Sequence, residues 1–282
     1  MSLFEAVLAK QDHNGFGKHR TYFESLIKPA IHLSKNDTHV FSKLGGMPEM
    51  PPELQWPIWN GLPLAFLCQI DLSEIPDDYP RFDLPESGLL YFFYELKNFK
   101  WGFDPNDKGS WRVLSIDSSA DKCALQEQPA KLCNDYVFPE KFLAFSLIDT
   151  YPDCTDEKIS SLNLSEEDDY DFQVMRDSKY LGEPYHQLLG HPTPVQNKDM
   201  DLECQLVSNG IYCGDESGYA DARVSELQAG RFDWILFFQL DLDDPDLECE
   251  NGGMMYFWIK NDDLTHSRFD ECWMILQVMD TE

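Results

Sequence analysis

Apolar residues along the chain fall in short uninterrupted runs, not at helical spacing. Residues 64–72 read LAFLCQIDL and residues 234–242 read WILFFQLDL, so the ending Gln-x-Asp-Leu recurs. Downstream come GLLYFFY from Gly88 and GMMYFWI from Gly253, each with tyrosine three positions after the glycine, and then Trp111–Ile116 and residues 273–278. Upstream, Gly46-Met-Pro48 is echoed by Gly190-His-Pro192. Runs of this length, rich in aromatic and aliphatic residues, fit pleated strands better than helices. Pro76, Pro80 and Pro85, and in the second copy Pro245 with Asn251-Gly252, mark turns between the first two runs of each set. Each copy is thus expected to form an antiparallel three-stranded unit, and the four matches in one order predict an internal duplication with units of about 44–117 and 189–279. One unit alone would expose a sheet face that the other can cover.

Helix signals are sparser. Residues 2–9 and 22–27 read as short helices, followed by a strand at 30–33, and residues 161–175 read as a helix entered at Ser165, where Glu166 to Asp169 favour the positive helix end. Residues 142–148 look like a further strand within the acidic connection 129–171, and residues 263–267 like one more helical turn. The expected fold class is α+β, rich in antiparallel sheet, as a single domain over residues 1–282 with pseudo-twofold character and a few short helices.

Charge narrows the partners. The 51 acidic and 22 basic residues leave a net charge of −29 spread along the chain, which repels nucleic-acid phosphates and anionic membranes. The same charge attracts a basic protein, a polyamine or a divalent cation, so a basic protein or a small ligand is the expected partner, with solubility as the plainer use of the charge. Eight cysteines stand no closer than nine positions apart, so no C-x-x-C pair begins a zinc or redox site, and no cofactor is expected. No run approaches the roughly 20 apolar residues of a membrane span, and free cysteines fit a reducing cytoplasm.

The stretches SKLGGMPEMPPELQWP from Ser42, PLAFLCQIDLSEIP, LPESGLLYFFYE, HQLLGHPTPVQN and GGMMYFWIKNDDL carry a family likeness over roughly residues 28–280. The chain resembles the YwqG-like family of bacterial proteins of unknown function. That resemblance implies a cytoplasmic α+β protein with no catalytic residues to transfer. The run DDPDLECEN from Asp243 is more acidic than the family pattern.

The candidate site follows from strand periodicity. Gln69 and Asp71 share one strand face, with Phe66, Cys68 and Ile70 on the other, as do Gln239 and Asp241 in the second copy against Phe238 and Leu240. If these strand ends meet at a seam between the copies, together with His191 and with Trp56 as a stacking surface, four polar groups converge on a ligand, a partner or a cation. The plainer alternative is that each Asp caps a turn, each Gln bonds a neighbouring loop and the tryptophan is buried. His186 and His191 miss the spacing of a helical metal pair and read as surface or loop residues, and the run from Asp241 to Glu248 fails the EF-hand pattern at Pro245, leaving a solvated acidic turn. No hydrolase, metalloprotease or dinucleotide signature occurs in a suitable context. A noncatalytic binding or interaction module, with toxin neutralisation as one concrete version, is the leading expectation. An enzyme using the seam as a hydrolytic or cation-dependent site is the alternative, and the sequence leaves the oligomeric state open.

Overall fold

The computed structural model describes residues 19–180, 182–250 and 252–279; the helix expected at residues 2–9 lies outside them. Ten strands form one sheet: β1 (Lys28–Lys35), β2 (Lys43–Leu44), β3 (Ala65–Asp71), β4 (Leu89–Tyr94), β5 (Trp111–Ile116), β6 (Lys141–Thr150), β7 (Gln187–Leu188), β8 (Trp234–Asp241), β9 (Met254–Lys260) and β10 (Trp273–Gln277). Their spatial order is β10-β9-β8-β7-β1-β6-β2-β3-β4-β5, and all neighbours are antiparallel. The protein is therefore mixed α+β with a large antiparallel sheet. Every apolar run singled out in the sequence is a strand.

The order reads alike from both edges. β1 and β6 form the centre, with Ser34 opposite Ala144. On one side Lys43 pairs Gln69 and Leu44 pairs Cys68; on the other Gln187 pairs Gln239 and Leu188 pairs Phe238. The ladder from β3 to β4 slips between Phe66 and Cys68, and that from β8 to β9 slips between Leu236 and Phe238. Each slip is a bulge, an extra residue that kinks the strand and resets its alternation. In consequence Phe66 lies with Tyr91 and Phe93 in a separate cluster, while Leu67 and Cys68 both enter the main core. Phe66 therefore does not oppose Gln69, contrary to simple alternation. A second difference concerns the edge strands. Arg112 lies opposite Phe93 and Trp273 opposite Trp258, so the ladders match Arg112, not Trp111, to Trp273.

The main core packs between the two three-stranded units. The Phe92 ring of β4 lies 4.4 Å from Phe238 of β8 and 5.3 Å from Phe257 of β9. Aromatic pairs of this kind add about 0.5–1.5 kcal/mol each beyond the area they bury. At the far side Trp111 and Trp273 meet edge to face at 5.0 Å. Trp111 Nε1 donates to Cys272 O (2.9 Å) and Trp273 Nε1 to Gly102 O (2.8 Å), which draws the two sheet edges together and curls the sheet toward closure. Gly102 is required there: its φ is +84°, and a Cβ would stand 1.8 Å from Met274 O.

The helix at Glu166–Asp177 begins as expected, with Ser165 Oγ accepting from the Asp168 amide at 3.2 Å and four acidic residues in its first turn. The helix Met200–Ser208 was not evident in the sequence because its buried face carries Glu203 and Gln205 among the apolar residues.

Candidate functional site

Gln69 and Gln239 are fully buried, and each clamps a loop of its own half. Gln69 Oε1 accepts from the Glu49 amide and its Nε2 donates to Phe41 O, at 2.8 and 2.7 Å. Gln239 Oε1 accepts from the Thr193 amide and its Nε2 donates to Tyr185 O, both at 2.8 Å. Tyr91 and Tyr256 complete the two sets by donating to Glu49 O and Thr193 O. Asp71 caps its turn by accepting from the Ser73 amide and hydroxyl, and Asp241 accepts from the amides of Asp243 and Tyr185. These are two separate networks. Among the described residues no hydrogen bond or ion pair joins Gln69 or Asp71 to Gln239 or Asp241, and both glutamine side chains are held at the oxygen and at the nitrogen by the protein's own backbone.

The other sequence candidates are engaged as well. Trp56 Nε1 donates to Leu64 O at 2.9 Å, and its ring packs edge-on against Phe93 at 5.5 Å. His191 is buried, not superficial: its amide donates to Thr150 Oγ1 and its Nε2 lies 2.9 Å from Leu26 O. Burial, reinforced by the charge of Lys28, lowers its pKa to about 4.

His186 is also fully buried and belongs to a charged network that the sequence did not reveal. Its Nδ1 accepts from the Asp241 amide at 3.0 Å, so the proton sits on Nε2, which donates to Asp244 Oδ2 at 3.0 Å. Lys141 Nζ reaches the same oxygen at 2.7 Å, with side chains only 5% and 1% exposed. Burial opposes ionisation of Asp244, but the His186 and Lys141 bonds outweigh it and hold the carboxyl well below the ordinary range. The acidic turn is therefore only partly solvated: Asp241 and Asp244 are buried, while Asp243, Asp246, Glu248 and Glu250 are exposed. Among the described residues, no group of three or more His, Cys, Asp or Glu side chains is arranged to hold a metal ion.

This anchor positions the rim of a cleft of about 600 Å³. Asp244 Oδ1 caps the short turn Pro245–Leu247 by accepting from the Asp246 amide, and the chain then presents Glu248, Cys249 and Glu250 to the cleft. A second wall, Leu96 to Phe99, is set by Glu95, whose carboxylate accepts from the amides of Lys97 and Asn98. The third wall is the segment 134–139, where Phe138 O accepts from the Gly46 amide at 2.8 Å. Gly45, at φ +61°, passes so near that a Cβ would stand 2.1 Å from Pro139 O, which gives the Gly-Gly pair its structural reason. Leu96, Phe138 and Leu247 behind the lining belong to the core, and half-buried Phe99, Tyr136 and Val137 supply its apolar surface, within a cleft whose exposed lining is otherwise polar. The rim carries Asp135, Glu248 and Glu250 against Lys97. Phe99 and Glu248 both hold left-handed backbone, at φ 46° and 53°. Non-glycine residues held in that conformation tend to gather at binding and switch regions.

A family model described as a domain of unknown function, DUF1963, matches residues 42–278. The chain belongs to that family. The DUF1963 span takes in every sheet strand except β1, and it contains all three walls of the cleft and both clamping glutamines. No curated protein matches the chain. Of the cleft residues, only the acidic run from Asp243 stood out in the sequence. The other walls come from segments with no shared pattern.

Proposed function

We propose that this DUF1963 protein is a noncatalytic binding module of the cytoplasm that engages a positively charged partner at the cleft between Leu96–Phe99, residues 134–139 and residues 247–250. The observation that carries this reading is the cleft itself: half-buried Phe99, Tyr136 and Val137 beside the acidic rim of Asp135, Glu248 and Glu250, assembled from the first unit, the connection and the second unit. A net charge of −29 adds a long-range field that steers cations toward it. The seam expected at Gln69, Asp71, Gln239, Asp241, His191 and Trp56 serves the scaffold on this reading, because those groups spend their hydrogen bonds on the protein's own loops. The enzyme alternative loses its intended acid and base for the same reason.

The likeness to the YwqG-like family of bacterial proteins fits this assignment. The matching registers, bulges and glutamine clamps support an origin by internal duplication of units near 44–117 and 189–279, with a twofold passing near Ser34 and Ala144. Copurification from the native cell tests the function. The intact chain is expected to retain a basic partner, and Glu248→Lys with Glu250→Lys to release it while remaining folded. Retention of the same partner by the double variant would remove the cleft from the proposal.

A further inference from the structure

Within that cleft the structure points to a narrower ligand chemistry, an inference that rests on the cleft being the binding site. We infer that it seats an arginine side chain carried on an apolar stretch of a protein partner. Two half-buried aromatic rings, Phe99 and Tyr136, line the cleft, and Asp135, Glu248 and Glu250 stand on its exposed rim. A guanidinium is planar, weakly hydrated and forked. It lies flat on an aromatic ring while its edge donates to carboxylates, whereas an ammonium is a compact, strongly hydrated point charge that does neither as well. Half-buried Val137 lies in the same lining and matches the methylene stem of such an arginine. The charge balance is complementary, with three acidic rim residues against Lys97 alone.

A volume of about 600 Å³ exceeds what one guanidinium group fills. It accommodates an arginine together with its flanking side chains, which favours a peptide segment over a free small cation. The anchoring through Asp244, His186 and Lys141 fixes the turn Pro245–Leu247 that leads into the two glutamates, and a preset turn loses less entropy on binding.

The test is calorimetric titration of the full chain with three probes: the acetylated, amidated peptide Ala-Leu-Arg-Leu-Ala, the same peptide with citrulline for arginine, and butylguanidinium. Citrulline keeps the shape and removes the charge. The arginine peptide is expected to bind about fivefold more tightly than the citrulline peptide, in keeping with two or three exposed ion pairs, and the preference is expected to shrink as salt is raised. In Glu248→Gln with Glu250→Gln, two exposed changes, that preference is expected to vanish. Equal binding of arginine and citrulline peptides, both weakened by Tyr136→Ala, would overturn the arginine assignment and leave the cleft as a binding site. Butylguanidinium binding as tightly as the peptide would overturn the protein source. Absence of binding by any probe, or binding unaffected by both the Tyr136→Ala and the glutamate variants, would overturn the arginine assignment and the cleft reading together.

Discussion

Glu203 offers a direct test of how burial sets the protein's response to pH. It lies on the inner face of the helix Met200–Ser208 and is 2% exposed. Its Oε1 accepts from Asn197 Nδ2 at 2.6 Å and from the Tyr219 hydroxyl at 2.7 Å, while its Oε2 has no partner. Burial raises its pKa from 4.5 to about 7; the Tyr219 bond works against that rise, and nearby Asp199 and Asp201 add to it. Arg231 pairs with both aspartates and so does not neutralise Glu203 directly. Below pH 4.5 both folded and unfolded chains hold the proton. As pH climbs toward 7 the unfolded chain releases it and the folded chain does not, so stability present at acid pH is lost across this window. At 1.36 kcal/mol per pKa unit the full loss is about 3 kcal/mol. Glu203→Gln mimics the protonated form and keeps the Oε1 acceptor. It is expected to match the parent within about 1 kcal/mol at pH 5 and to exceed it by about 2–3 kcal/mol at pH 8. Urea unfolding followed by tryptophan fluorescence, repeated from pH 5 to 8, reads the difference, and subtraction cancels the other titrating groups. A difference that stays flat over that range would refute the argument.

The two glutamine clamps are expected to be energetically independent: Gln69→Ala and Gln239→Ala each lose about 1–3 kcal/mol by orphaning a buried amide, and the double variant loses their sum to within about 0.5 kcal/mol. A large coupling energy in urea unfolding would mean the networks communicate. Among the described residues, Asp244→Ala leaves the buried Lys141 with only Asp246 Oδ2, 3.5 Å away, and orphans His186 Nε2, so a loss of about 3–5 kcal/mol is expected, against a smaller loss for Lys141→Met with Asp244→Leu, which orphans His186 Nε2 alike but removes the lysine; equal losses would contradict the ion-pair account. Because the Asp244 carboxyl is held below its ordinary range, its contribution is present above the unfolded carboxyl's pKa and fades as pH falls through that of the folded group, which acid unfolding of the parent and the double variant compares. His186→Ser is expected to fold and lose about 1–3 kcal/mol, with faster amide exchange confined to the turn at Pro245–Leu247 and the residues after it; unchanged exchange there would detach His186 from the rim.

Strands were legible because each is a short apolar run bounded by Pro, Gly or acidic residues, and because a buried Gln interrupts two of them at the same place. An Asp at the end of such a run also reads as a turn cap, and Asp71 accepts from the Ser73 amide and hydroxyl. The bulge at Phe66 to Cys68 was not legible: an extra residue shows itself only against its partner strand, and nothing in LAFLCQIDL differs from an unbroken ladder. The one-residue offset between the edge strands was hidden for a related reason, since two tryptophans at the head of similar runs invite alignment although the ladders match Arg112 to Trp273. Buried polar groups were the other blind spot. Glu203, Asp244 and His186 look solvated by composition, and only the pairing of β6, β7 and the acidic turn in space supplies His186 and Asp244 with partners.

Positions that correspond in the two sheet ladders but carry different residues show how the acidic rim is anchored. Ser42 Oγ accepts from the Asp71 amide at 2.9 Å, and His186 Nδ1 accepts from the Asp241 amide at 3.0 Å, so a hydroxyl and an imidazole do the same work at the ends of β3 and β8. A hydroxyl stops there. The imidazole has a second nitrogen, which continues to Asp244 and thence to the turn that bears Glu248 and Glu250. Gln69 and Gln239, identical at matched positions, hold loops to the sheet. At His186 the halves diverge, and the added nitrogen turns a strand-end hydrogen bond into the anchor of an acidic rim that the first half has no means to build in the same way.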